Sequence, residues 1–121
     1  MDLKYLRIGN KGTEDEYILF QAVKDCILKD YLIHDDTFDA DGEISNKLRH
    51  MYRFNRSVKV KAGEYVALYV KKEGDYCVGT IGKIKPTPCH IFYWGLDVDV
   101  FNDNGDHLYL LKIDETSKSF V

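Results

Sequence analysis

The chain is poor in several things that would have pointed to chemistry. It has three cysteines, Cys26, Cys77 and Cys89, and no CxxC pair among them. An odd, scattered set fits free thiols in a reducing compartment better than a disulfide framework, so a cytoplasmic setting is expected. The four histidines and three cysteines show neither Cx2C nor Hx3H spacing, which removes the usual structural zinc patterns. There is no glycine-rich phosphate loop, no GxSxG and no HExxH, so no motif-borne nucleotide, hydrolase or metalloprotease chemistry is expected. No apolar run approaches the roughly 20 residues of a membrane helix, and membrane insertion is not expected. The opening "MDLKYLRIGN" lacks a basic and then apolar leader pattern. The ending "KSFV" lacks a lipidation signal. Two Pro and two Met are few; nine Tyr and six Phe are many, and that balance leans toward strands.

What the chain does have is a soluble globular profile. Its 121 residues are 45% hydrophobic and 31% charged, which fits one folded domain with a single core. Short apolar runs alternate with turn signals. The runs are "LKYLRI", "YILFQAV" (17–23), "KDYLIHD" (29–35), "RHMYRFN" (49–55), "YVALYVK" (65–71), "IFYW" (91–94) and "HLYLLKI" (107–113), with "SFV" as a short final candidate. Between them, "YCVGTIGKIKPTPCH" holds two prolines and reads as a loop or a poor edge strand. Nothing keeps a 3.6-residue period over three turns. The expectation is an all-β sandwich of seven to nine strands, in one domain spanning residues 1–121.

The net charge of -3 is unevenly spread. Residues 1–43 hold 11 acidic and 5 basic residues. Residues 44–63, "ISNKLRHMYRFNRSVKVKAG", hold six Lys/Arg and no acid. These six, Lys47, Arg49, Arg53, Arg56, Lys59 and Lys61, are the candidate partner-binding residues. Period-2 alternation puts Tyr52 and Phe54 on one face and Arg53 and Asn55 on the other. Outward arginines suit phosphate or carboxylate. A sequence pI near 5.8 disfavours nucleic acid, which usually meets a basic domain, and an acidic protein partner is the stronger expectation. The plain alternative is that the segment folds against the acidic N-terminal part of the chain.

Two polar clusters invite a metal reading. In "HDDTFDADGE", His34, Asp35, Asp36, Asp39, Asp41 and Glu43 crowd one loop. With Gly42 at position 6 of a calcium loop, position 1 is Thr37 and position 12 is Leu48, so the bidentate carboxylate is missing. The knot Asn102-Asp103-Asn104-Gly105-Asp106 fails likewise, with Val100 and Leu111 at those positions. Asn104-Gly105 reads instead as the turn of a hairpin. Cys89 and His90 are adjacent, so on a strand they face opposite ways and cannot act as a dyad. Trp94-Gly95 reads as a core aromatic at a tight turn.

Two stretches, "YRFNRSVKVKAGEYVALYV" (52–70) and "YWGLDVDVFNDNGDHLYLLKID" (93–114), together resemble the lamin-tail domain, an immunoglobulin-like β-sandwich. The resemblance is carried by Tyr52 and Phe54, Gly63, Tyr65 to Val70, Trp94-Gly95, and Asn102 to Asp106 before Leu108 to Leu111. Residues 15–36 extend it toward the N-terminus. Val60 and Phe101 depart from the family's pattern, which more often has leucine and tryptophan there. The resemblance implies a stand-alone, bacterial-type binding or scaffolding module, with no catalytic residue and no cofactor. Two other readings stay open: a small metal-dependent enzyme or hydrolase-associated subunit using the acidic loop 34–43, and a structural homo-oligomer that pairs edge strands near residues 72–91.

Overall fold

A computed structural model describes residues 1–36, 50–98, 100–101 and 107–121. Among the described residues ten strands alternate with turns: β1 (Leu3–Gly9), β2 (Tyr17–Ala22), β3 (Cys26–Ile27), β4 (Tyr31–Asp35), β5 (Met51–Arg53), β6 (Lys59–Val60), β7 (Tyr65–Tyr69), β8 (Cys77–Ile81), β9 (Thr87–Tyr93) and β10 (Leu108–Lys112). Among the described residues there is no α-helix, only a single 3-10 turn at Leu28–Asp30. None of them forms a helix long and apolar enough to cross a membrane. The all-β sandwich expected from the sequence is what forms. Ten strands exceed the expected seven to nine because two of them, β3 and β6, are two-residue pieces that pair only with each other.

The larger sheet runs β1-β2-β7-β9-β8, and the smaller runs β10-β4-β5. All neighbours are antiparallel except β7 and β9, which are parallel. Alternation decides which side chains meet. Ile18 and Phe20 of β2, Val66 and Leu68 of β7 and Phe92 of β9 point inward from the larger sheet. Tyr31 and Ile33 of β4 meet them from the smaller sheet, with Leu108 and Leu110 packed alongside. Phe54 follows β5 and is fully buried. Its ring stands edge-on to Phe20 at 6.2 Å and to Phe92 at 5.1 Å, so it bridges both sheets.

Three sequence expectations change here. Residues 77–81 form the edge strand that the sequence allowed, but residues 87–93 form β9, which lies inside the sheet although it contains Pro88. The proline is tolerated because β7 pairs only with Cys89 to Tyr93, leaving Pro88 beyond the end of that ladder. The apolar run at 107–113 pairs with β4, not with β9, so the runs on either side of residues 102–106 belong to different sheets and do not form a two-stranded hairpin. The local turn signal did not carry the information that Val100 and Phe101, just before it, would be buried in the shared core. The Asn104-Gly105 turn itself lies outside the described residues. The end of the chain, residues 113–121, contains no strand.

Truncating Phe54 would leave a cavity between sheets that cannot both collapse into it. Phe54→Ala is expected to lower the unfolding free energy by about 3–5 kcal/mol, read from denaturant unfolding. A loss below about 1 kcal/mol would place the ring outside the load between the sheets.

Candidate functional site

The basic segment is positioned by three inward anchors: Tyr52 half-buried, Phe54 and Val60 fully buried. With these side chains in the core, Arg53, Lys59 and Lys61 are exposed, as period-2 alternation required; Arg56 has the parity of Tyr52 and Phe54 and is exposed because the chain has left the strand after Arg53. Lys47 and Arg49 lie outside the described residues. Arg53 directs Nε and Nη2 to the Lys29 carbonyl, each at 3.4 Å. Arg56 lies over the Tyr76 ring, its Cζ 5.9 Å from the centroid. Lys59 and Lys61 flank buried Val60 on β6 and line an open cavity of about 280 Å³ with Asp25, Cys26 and Ile27. None of the four cations makes an ion pair with a described residue.

The segment does fold against the acidic N-terminal part of the chain, but through backbone. β5 pairs with β4, and β6 pairs with β3. Asp25 contributes one carboxylate nearby, and its Oδ1 accepts the Ala62 N–H at 2.8 Å. Lys29 is a member of the surface that the sequence did not flag. It is exposed on the 3-10 turn and offers its carbonyl to Arg53. It sits more than twenty residues away in an acid-rich stretch, and no local pattern marks it.

A second array was also missed. His90 projects inward from β9 and is almost fully buried. Its Nε2 lies 3.1 Å from Glu64 Oε1, and its Nδ1 lies 2.8 Å from the Tyr76 hydroxyl. Burial pushes the Tyr76 phenol up, so it stays protonated and donates to Nδ1. The Nε2–H then donates to Glu64. The backbone N–H of Lys61, 3.0 Å from Glu64 Oε1, holds that carboxyl below its ordinary value, and His90 adds to the effect. The chain Glu64–His90–Tyr76 therefore fixes the ring on which Arg56 rests. Its hydrogen-bonded pairs are 26 and 14 residues apart in sequence, spacings that no short motif scan would join.

Cys89 and His90 do face opposite sides of β9. Cys89 packs with Leu19 and Ala67 on the outer face of the larger sheet, and burial pushes its thiol up to about 11. Trp94 is half-buried, 5.5 Å from the Tyr52 ring, and its backbone N–H bonds the Tyr69 carbonyl. Gly95 follows at φ +77, a left-handed turn, and a Cβ there would meet Glu73 at 3.1 Å.

Of the acidic loop, Asp39, Asp41 and Glu43 lie outside the described residues. Asp35 is buried, and its two oxygens take the backbone N–H and Nδ1 of His50, both at 2.9 Å. Asp36 Oδ2 meets His107 Nδ1 at 2.5 Å. His34 stacks on Tyr109 at 4.6 Å and donates from Nδ1 to the Asp35 carbonyl at 2.9 Å. No group of three or more metal-ligating side chains occurs among the described residues.

No family model matches the sequence. No curated protein matches it either. Function therefore has to be read from the geometry of this chain.

Because the Glu64 carboxyl is held low in the fold, its contribution to stability is complete above its ordinary value of 4.5 and is lost as pH falls through the depressed folded value. Glu64→Gln should flatten the fall in melting temperature between about pH 5 and pH 3. A pH profile unchanged by the substitution would show that Glu64 is not held by this array.

Proposed function

We propose that the chain is a non-catalytic binding or scaffolding module, of lamin-tail type and bacterial, that recognises another macromolecule through the surface around Arg53, Arg56, Lys59 and Lys61, with Lys29 as a further contributor. Its partner is an acidic protein surface in preference to nucleic acid. One observation carries this reading. Two guanidinium groups are oriented, one by a backbone carbonyl and one by an aromatic ring, with no carboxylate of the described chain paired to either. Orientation in advance reduces the side-chain ordering that binding would otherwise require. Guanidinium also matches the carboxylate fork in a way that lysine does not. The acidic total charge disfavours a nucleic acid partner. Free thiols at Cys26, Cys77 and Cys89 support a cytoplasmic setting. The metal-dependent reading is weaker, because Asp35 and Asp36 already hold histidines.

Titration calorimetry with poly-glutamate, at low and at physiological salt, tests the proposal. Binding should weaken with salt. Arg53→Glu with Arg56→Glu should weaken it at least about tenfold, while Lys11→Glu, on a remote turn, should not. Unchanged affinity in the double variant would overturn the proposal. Tighter binding to duplex DNA than to poly-glutamate would overturn the choice of partner.

A further inference from the structure

The larger sheet ends in two edge strands with different character. β1 is guarded: Lys4 and Arg7 lie along it, and its register with β2 shifts between Tyr5 and Arg7. Charges and bulges of this kind block pairing with a foreign strand. β8 has neither device. Its five residues, Cys77-Val78-Gly79-Thr80-Ile81, carry no charge and pair with β9 without a register shift. Val78 is 56% exposed, so a large apolar side chain also stands at this bare edge.

The flanks of β8 say what would fit there. The stretch reads Glu73-Gly74-Asp75-Tyr76 before the strand and Gly82-Lys83-Ile84-Lys85 after it. Glu73 and Lys85 are equally far from Gly79 in sequence, and so are Asp75 and Lys83; the two lysines sit in the loop that turns from β8 to β9. All four charged residues are exposed, and none makes an ion pair with a described residue. Antiparallel pairing of β8 with a second β8 about Gly79 sets Cys77 against Ile81 and Val78 against Thr80. The acidic flank of each copy then meets the basic flank of the other, twice by symmetry. Parallel pairing would set like charges together.

We infer that β8 is a self-association edge, and that two copies of this chain join antiparallel through it about a two-fold axis at Gly79. The two five-stranded sheets become one continuous sheet. Backbone hydrogen bonds supply the adhesion, and the Glu73/Asp75 and Lys83/Lys85 flanks set the register and direction. The occupant is a second copy because the charge pattern complements itself. The edge begins beside Tyr76, the ring under Arg56, and Asp75 lines a cavity with Arg56, so the dimer seam adjoins the Arg56 end of the basic surface in each copy.

Analytical ultracentrifugation of the whole chain, from about 1 µM to about 1 mM, tests the inference. The wild type should pass from monomer to dimer, and less readily at high salt. Asp75→Lys alone and Lys83→Asp alone should each weaken self-association about tenfold or more. The double variant D75K/K83D should recover it. Mixing the two single variants should give a heterodimer stronger than either homodimer, since one copy then offers two lysines and the other two aspartates. Circular dichroism checks that each variant folds, and the wild-type concentration series is independent of them. A wild type that stays monomeric throughout would overturn the inference. So would a double variant no better than the singles.

Discussion

Phe54 stands fully buried between the two sheets, in edge contact with Phe20 on one strand of the larger sheet and Phe92 on another. Much else follows from that one placement. The ring belongs to the most basic segment of the chain, and its backbone N–H is tied to the Tyr31 carbonyl at 3.2 Å. Once Phe54 points inward, Arg53 must point outward, because adjacent residues of extended chain face opposite sides. Val60 repeats the device six residues later and sends Lys59 and Lys61 outward. The exposed cations are thus a consequence of how the core is filled, and hydrophobic burial supplies the free energy that holds them in place.

The polar array behind the surface works in the same direction. Glu64, His90 and Tyr76 are joined by two hydrogen bonds, and Tyr76 supplies the ring under Arg56. Buried groups of this kind are costly when unpaired and rigid when every member has a partner. Here each imidazole nitrogen is used. A triad of carboxylate, imidazole and hydroxyl invites a catalytic reading. The hydroxyl, however, is spent on the imidazole inside the protein, and burial keeps the phenol protonated. A positioning role for Arg56 fits those facts.

The class of fold was legible because burial follows alternation, and "YILFQA", "YVALY" and "MYRF" alternate or run apolar as sandwich strands do. The same rule placed Arg53 outside and Phe54 inside, and put Cys89 and His90 on opposite faces. Pairing was less legible. Pro88 argued against an internal strand, yet it lies just past the end of the β7 ladder, where no N–H is needed. The turn signal at Asn104-Gly105 suggested that its neighbours pair with each other, whereas β10 joins β4. Turn residues report local backbone preference, and sheet partners are chosen by the whole core. Lys29 and the Glu64–His90–Tyr76 array were out of reach for the same reason: contacts across many residues leave no short pattern.

The account rests on the basic segment being one unit with the core, not a flap that opens on its own. Native-state amide hydrogen exchange measures this directly. The Phe54 amide should exchange only through global unfolding, with the same opening free energy as Leu68 in the middle of β7. Exchange at Phe54 with an opening free energy several kcal/mol below that of Leu68 would show that the segment opens independently, and would contradict the claim that core packing holds the surface cations in place.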